Sequence, residues 1–275
     1  MLKTRVITAI ILITGLLIAL FLASNTVWAL SMLTVTLIGT WEWSNLIKLN
    51  KLQMYCYVGV ALIIGITIFL TSGIPFASSL THYHNVFVLG LLTLVTIFWV
   101  LVAPIWLITR KKIKHQFGLA ILGLLLLLST WVALFELRIV SPWLLLSIIA
   151  TVSIADSAAY FAGKRFGRNK LAPEISPGKT WEGVAGGLLA VSIYGSFVCY
   201  YYHLSLWFLI GFWLIVVLSI IGDLFESLLK RQADIKDSSQ LLPGHGGVLD
   251  RMDGLIATLA LSLFYIYLPL FAHVQ

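Results

Sequence analysis

The stretch SLLKRQADIKDSSQLLPGHGGVLDRMD, Ser227 to Asp253, gathers four carboxylates (Asp234, Asp237, Asp250, Asp253), four cations (Lys230, Arg231, Lys236, Arg251) and His245 set among Gly244, Gly246 and Gly247. It starts at the end of one apolar run, Leu206 to Leu229, and stops where another begins at Gly254. It therefore reads as a polar link between two membrane helices. Hard carboxylate oxygens suit Mg²⁺, which keeps waters and shares its coordination with substrate phosphates. Lys and Arg suit the phosphates themselves, and Gly lets backbone amides approach an anion. The plain alternative is a solvated loop whose charges alternate in sign.

Outward from this stretch the chain is apolar. Of 275 residues, 60% are hydrophobic and 11% charged, with a mean hydropathy of +1.00; soluble domains carry about 25% charged residues. A bilayer core of about 30 Å needs about 20 apolar residues per helix, with every backbone group satisfied inside the segment. The absence of two-residue alternation excludes a β-barrel. The expected fold is all-α, a polytopic integral membrane protein with about nine transmembrane helices. The runs are Val6 to Ala23, Thr26 to Ile47, Met54 to Thr71, Val86 to Ile108, Phe117 to Phe135, Pro142 to Ala162, Val184 to Tyr202, Leu206 to Leu229 and Gly254 to Phe271. The first follows Lys3 and Arg5 as a signal peptide would, but it continues to Ala23 without a small-x-small cleavage site and is read as an uncleaved span.

Charge placement tests the count. The N-terminus (Lys3, Arg5) and the loops after spans two (Lys48, Lys51), four (Arg110, Lys111, Lys112, Lys114), six (Lys164, Arg165, Arg168, Lys170, Lys179) and eight (Lys230, Arg231, Lys236, Arg251) hold all but Arg138 of the 18 basic residues. The positive-inside rule then makes the N-terminus and those loops cytoplasmic. The net charge of +7 has no basic surface domain to carry it toward nucleic acid, so contact with anionic headgroups is expected instead. Cys56 and Cys199 lie in apolar runs, which indicates neither a disulfide framework nor a zinc site.

The acids divide the chain. Only Glu42 and Glu136 precede residue 141; Asp156, Glu174, Glu182, Asp223, Glu226 and the four of the quoted stretch follow it. Residues 1–140 are expected to be a scaffold of five spans. Residues 141–275, four spans with two long cytoplasmic loops, are expected to carry chemistry, the whole forming one integrated membrane domain.

An acid inside a membrane helix is costly and marks a functional candidate. Asp156 and Asp223 qualify, each five or six residues before the cytoplasmic end of its apolar run and so roughly 8 to 9 Å below the interface at about 1.5 Å per residue. They could share a cation, or pair with a Lys such as Lys230. Glu226 and Ser227 share a helix face with Asp223. Asp250 is expected to complete a metal site with Asp223. Asp253 stands open between N-cap of the last span and supporting metal residue, while the Gly-rich turn and the helix start offer amides to phosphate. His245, with glycine on either side, is placed as a proton donor to a phosphate oxygen. The loop Tyr160 to Gly183, with Lys164, Arg165, Arg168, Lys170 and Lys179 among its glycines, suits an anion or an anionic lipid. Ser176 to Thr180 lacks the glycine spacing and preceding strand of a P-loop.

Ser227 to Asp253 resembles the signature of the phosphatidate cytidylyltransferase (CDP-diacylglycerol synthase) family. The matching positions are Ser227, Lys230, Arg231, Lys236, Asp237, Pro243, His245, Gly246, Gly247, Asp250, Arg251 and Asp253. Asp156 through AYFAGKRFG to SPGKTWEG is similar to the family's second shared region, and the first five runs carry little recognisable signal.

The resemblance implies that CTP and phosphatidic acid give CDP-diacylglycerol and pyrophosphate with Mg²⁺, and a second, monovalent ion such as K⁺ is part of the family's arrangement. It implies catalytic roles for Asp223, Asp250, His245, Lys236 and Arg251, and substrate contacts from Ser176, Lys179, Lys230, Arg231, Asp237, Gly246 and Gly247. Asp223 and Asp250 would be the metal ligands, with Asp253 and Asp156 as further candidates. A multi-pass enzyme of the bacterial inner membrane is implied, with its active site at the cytoplasmic face, where cytoplasmic CTP can meet a lipid phosphate, and a homodimer is suggested. Two other classes share these features. A CTP-dependent polyprenol or phytol kinase would use similar acids to transfer the γ-phosphoryl group, and an ion-coupled transporter would use Asp156 and Asp223 as ion sites. No internal repeat of the transporter kind is present.

Overall fold

The computed structural model describes residues 2–72, 78–112, 115–244 and 246–267, with side chains described from residue 6 and, in the fourth helix, from residue 85. Its helices are α1 (Leu2–Leu22), α2 (Asn25–Leu46), α3 (Lys51–Thr71), α4 (Ser78–Ile97), α5 (Ala103–Thr109), α6 (Gln116–Val140), α7 (Pro142–Phe166), α8 (Trp181–Tyr201), α9 (Phe208–Gln232) and α10 (Leu249–Tyr267). Among the described residues each of the nine apolar runs lies on a helix, α4 and α5 sharing one run. Six helices are long and apolar enough to cross a membrane, the segments 51–71, 85–109, 116–140, 142–166, 181–201 and 208–232. Of the nine expected spans, these six coincide with helices of membrane-crossing length and apolarity.

A π-helical turn, Phe98–Val102, joins α4 to α5, with the amide of Ala103 reaching back to Phe98 O. Pro104 follows directly. Its missing N–H and its ring forbid an ordinary α turn there, and one wide turn accommodates it. The turn brings Phe98 and Trp99 round Phe225 of α9 at 5.2 and 5.5 Å between ring centroids, with Trp106 at 5.3 Å, all edge-on. Edge-on pairs suit the ring quadrupoles, and this cluster fixes α9 beside two of the site's acids.

Helices α2 and α6 run antiparallel and are stitched by indoles. Trp28 donates to Leu134 O, Trp131 to Ala29 O and Trp43 to Leu119 O, each at 2.9 Å. Arg138, the cation outside the segments expected to be cytoplasmic, is buried. It donates from Nε to Leu20 O at 2.9 Å and from Nη1 to Asn25 Oδ1 at 2.7 Å, and covers the Trp28 ring. It thus satisfies carbonyls at the end of α1 that the helix leaves open, and is no loop charge.

Two close approaches set the geometry of the second half. Gly183, Gly186 and Gly187 of α8 lie against Ala155, Ala158, Ala159 and Ala162 of α7, and a Cβ at Gly186 would stand 2.4 Å from Ala162 Cβ. Small residues of this kind let membrane helices touch along their backbones. At α9, a Cβ on Gly222 would stand 2.4 Å from Asp253 O of α10, while Gly254 faces Ser219 and Val152. Helices α7, α9 and α10 therefore meet just where each carries an acid.

The loop between α7 and α8 is not helical. It forms an antiparallel hairpin of β1 (Lys170–Ala172) and β2 (Ser176–Thr180), pairing Lys170 with Thr180 and Ala172 with Ser176. Thr180 then caps α8, its Oγ1 accepting from the amide of Gly183 at 3.1 Å. The hairpin turn is tied down by an Arg110–Glu174 ion pair and by Arg231 Nε donating to Ile175 O at 3.4 Å.

Candidate active site

Strand β2 and the cap at Thr180 aim the preceding residue, Lys179, at the helix junction. Its Nζ lies 2.5 Å from Asp223 Oδ2, and Ser227, one turn further along α9, donates to Asp223 Oδ1 at 3.3 Å. Asp223 sits close enough to Asp156 on α7 and to Asp253 on α10 for its charge to be felt by both. Asp223 and Asp253 are half-buried, and Asp156 is exposed. Three acids from three helices thus share one accessible junction, with Lys179 placed beside Asp223 where a cation would be held. Among the described residues no three of these groups are spaced to close a metal site in this arrangement.

A second cluster lies deeper. Lys230 Nζ donates to Asp250 Oδ1 at 2.7 Å and lies 3.1 Å from Glu226 Oε1, the three side chains being 12%, 7% and 6% exposed. The approach to Glu226 is a charge contact rather than an aligned hydrogen bond, and neither Glu226 oxygen finds a hydrogen-bond partner among the described residues. Asp250 Oδ2 accepts from Ser238 N at 2.9 Å, Ser238 Oγ at 3.0 Å and Gly247 N at 2.8 Å. Lys230 pairs here, not with Asp156 or Asp223.

The polar loop closes over a residue of the first half. Glu42 of α2 is fully buried. Its Oε1 accepts from Ser239 Oγ at 2.6 Å and Val248 N at 2.9 Å; its Oε2 accepts from Leu249 N at 2.7 Å and Ser238 Oγ at 3.2 Å. Its carboxylate is the anion at the start of α10, the position the helix dipole favours. A Cβ on Gly247 would stand 2.5 Å from Glu42 Oε1 and 2.0 Å from Ser238 Oγ, and Gly246 has φ +82°, so both positions need glycine.

Several expectations change accordingly. Asp253 is not the N-cap of α10, because the helix begins at Leu249, a full turn earlier. The amides of Gly247, Val248 and Leu249 serve Asp250 and Glu42, so the Gly-rich turn does not hold them ready for phosphate. Helices α7 and α9 run on past their apolar runs to Phe166 and Gln232, so Asp156 and Asp223 lie more than two turns from the helix ends. The first half is not scaffold alone, since Glu42 reaches into the loop. Lys236, Asp237, Arg231 and Arg251 are exposed, and Ser176 is half-buried on β2. His245 lies outside the described residues.

An open depression of about 580 Å³ at the end of α7 is lined by Arg165, Phe166, Gly167, Arg168, Asn169 and Glu182. Glu182 there accepts from Asn169 Nδ2 at 2.8 Å. This basic surface is distinct from the acid junction.

Glu42 is the residue that sequence reasoning missed. The available signal was a lone acid near the end of an apolar run, the same signal that singled out Asp156 and Asp223.

The phosphatidate cytidylyltransferase of Haemophilus influenzae is 37% identical over 291 aligned positions, covering 97% of this chain and 99% of that protein. The phosphatidate cytidylyltransferase of Pseudomonas aeruginosa is 38% identical over 272 positions, covering 94% of each. That of Bacillus subtilis is 42% identical over 120 positions, 42% of this chain and 44% of that protein. The profile of the cytidylyltransferase family matches residues 3–271, and the chain belongs to that family.

Proposed function

We propose that the chain is a membrane enzyme that transfers the cytidylyl group of CTP to phosphatidate, giving CDP-diacylglycerol and pyrophosphate. The observation that carries this reading is the junction of α7, α9 and α10, where Asp156, Asp223 and Asp253 share one accessible site with Lys179, in a chain whose full-length relatives are named for this activity.

The transfer is an in-line displacement. An oxygen of the lipid phosphate bonds to the α-phosphorus of CTP as the bond to the bridging oxygen breaks, and pyrophosphate leaves. A phosphate monoester has a second pKa of about 6, so the attacking oxygen is anionic at neutral pH. The site needs no strong base. Its task is to hold two polyanions in line and to neutralise them. Lys179 can exchange Asp223 for a phosphate oxygen, and the exposed Arg231, Lys236 and Arg251 suit the triphosphate. Lys164, Arg165 and Arg168 beside the depression would draw the anionic lipid.

The donor set at the junction consists of carboxylate oxygens, which fits Mg²⁺. Asp223, with Asp253 or Asp156 beside it, would hold it, and when bound it would neutralise phosphate charge and polarise the α-phosphoryl group. Asp250, engaged by four donor contacts, holds the loop in this arrangement. The placement of basic residues supports nine crossing helices with a cytoplasmic N-terminus, and hence a site on the cytoplasmic face of a bacterial inner membrane. A homodimer belongs to the same reading.

The test is product identity. Purified protein in detergent with Mg²⁺, CTP and phosphatidate should form a lipid carrying one added CMP by mass spectrometry. Phosphatidate recovered unchanged from folded, monodisperse protein would overturn the reading.

A further inference from the structure

We propose that Glu42 is a positioning residue for this reaction, holding the α9–α10 loop in the shape that presents its cations to CTP. The proposal rests on the cytidylyl-transfer reading above. Glu42 is fully buried, and a buried carboxylate is tolerated only when its oxygens are satisfied. Every donor that satisfies it comes from the loop or the start of α10. Ser238 and Ser239 follow directly on Lys236 and Asp237, and Val248 and Leu249 precede Asp250 and Arg251. Both ends of the loop are thus fastened to one carboxylate on a helix of the other half.

A second observation is independent of these bonds. The loop backbone at Gly247 passes so close to Glu42 that no side chain fits there, so the turn is built around the carboxylate. Ser238 Oγ also reaches both Glu42 Oε2 and Asp250 Oδ2, at 3.2 and 3.0 Å. It has one proton to share, which couples Glu42 to Asp250 and through it to Lys230. All four contacts to Glu42 are donors, so an amide in its place turns its own N–H₂ toward N–H and O–H groups and loses at least one end of the loop.

The test uses full-length protein with Cys56→Ser, since Cys56 is exposed and Cys199 buried, and a nitroxide on Gln240→Cys, an exposed loop position. In Glu42→Gln the KM for CTP should rise roughly 10- to 100-fold, the range set by losing hydrogen bonds to a charged group. The KM for phosphatidate should stay within about twofold of the parent, and the nitroxide should become more mobile. A general folding defect lowers the active fraction and leaves both KM values unchanged; that result, or an immobile nitroxide, overturns the proposal. If Glu42→Gln gives no monodisperse protein, Ser239→Ala decides. It removes one bond without stranding the backbone amides, and should raise the KM for CTP by about threefold or more; a parental KM would refute the role. If the parent forms no CDP-lipid, the catalytic reading fails, while the nitroxide still reports whether Glu42 holds the loop.

Discussion

Lys179 Nζ lies 2.5 Å from Asp223 Oδ2, joining the β-hairpin to the middle of α9 at the point where α7 and α10 also present acids. On the proposed reading, each partner occupies the place that substrate or metal would take beside the other. Asp223→Asn should lower kcat on the order of 100-fold or more, the scale of losing one preorganised charge contact at a reacting phosphate. The protein should elute as the parent does in size-exclusion chromatography. Lys179→Met should also be impaired, and the double variant should be less impaired than the product of the two, because neighbours that act together are not additive.

Lys230 stands between Glu226 and Asp250, with all three side chains nearly buried. Removing the cation strands two buried carboxylates, which costs about 3–5 kcal/mol where one partner of a buried pair is lost. Lys230→Met should therefore lower the unfolding temperature in detergent by several degrees or prevent folding. Adding Glu226→Gln should recover part of the loss.

Gly247 passes Glu42 and Ser238 too closely for a side chain. Gly247→Ala should displace the loop, lowering kcat/KM for CTP by about tenfold or more if it breaks one charged hydrogen bond. Gly211, which has open space around it, supplies the contrast, and Gly211→Ala should leave turnover at the parental value.

The Arg110–Glu174 ion pair has side chains 43% and 68% exposed. Exposed pairs are worth about 0–1 kcal/mol. Arg110→Ala should change the unfolding temperature by little, which distinguishes this surface tie from the buried Lys230 cluster.

The helices were legible because apolar runs of membrane length permit little else. Asp156, Asp223 and the loop residues stood out as charges in or beside those runs. What was hidden depended on contacts between distant segments. Glu42 carried the same signal as Asp223, but its partners lie about 200 residues away along the chain, at Ser238, Ser239, Val248 and Leu249. The role of Asp253 turned on where α10 begins, and hydropathy could not see a first turn made of Leu249, Asp250 and Arg251. The hairpin was obscured because Pro177 and Gly178 are poor strand formers, while the register Lys170 to Thr180 is set by pairing across the turn.

The most direct test of the central claim follows the phosphorus. Protein in detergent is given Mg²⁺, phosphatidate and CTP labelled in parallel at the α or the γ phosphate, with Asp223→Asn run alongside, and the lipid is extracted. Label should enter the lipid from α-labelled CTP only, with pyrophosphate released, and the variant should transfer little. Lipid label from γ-labelled CTP would make the enzyme a kinase, and full transfer by Asp223→Asn would remove the helix junction from the chemistry.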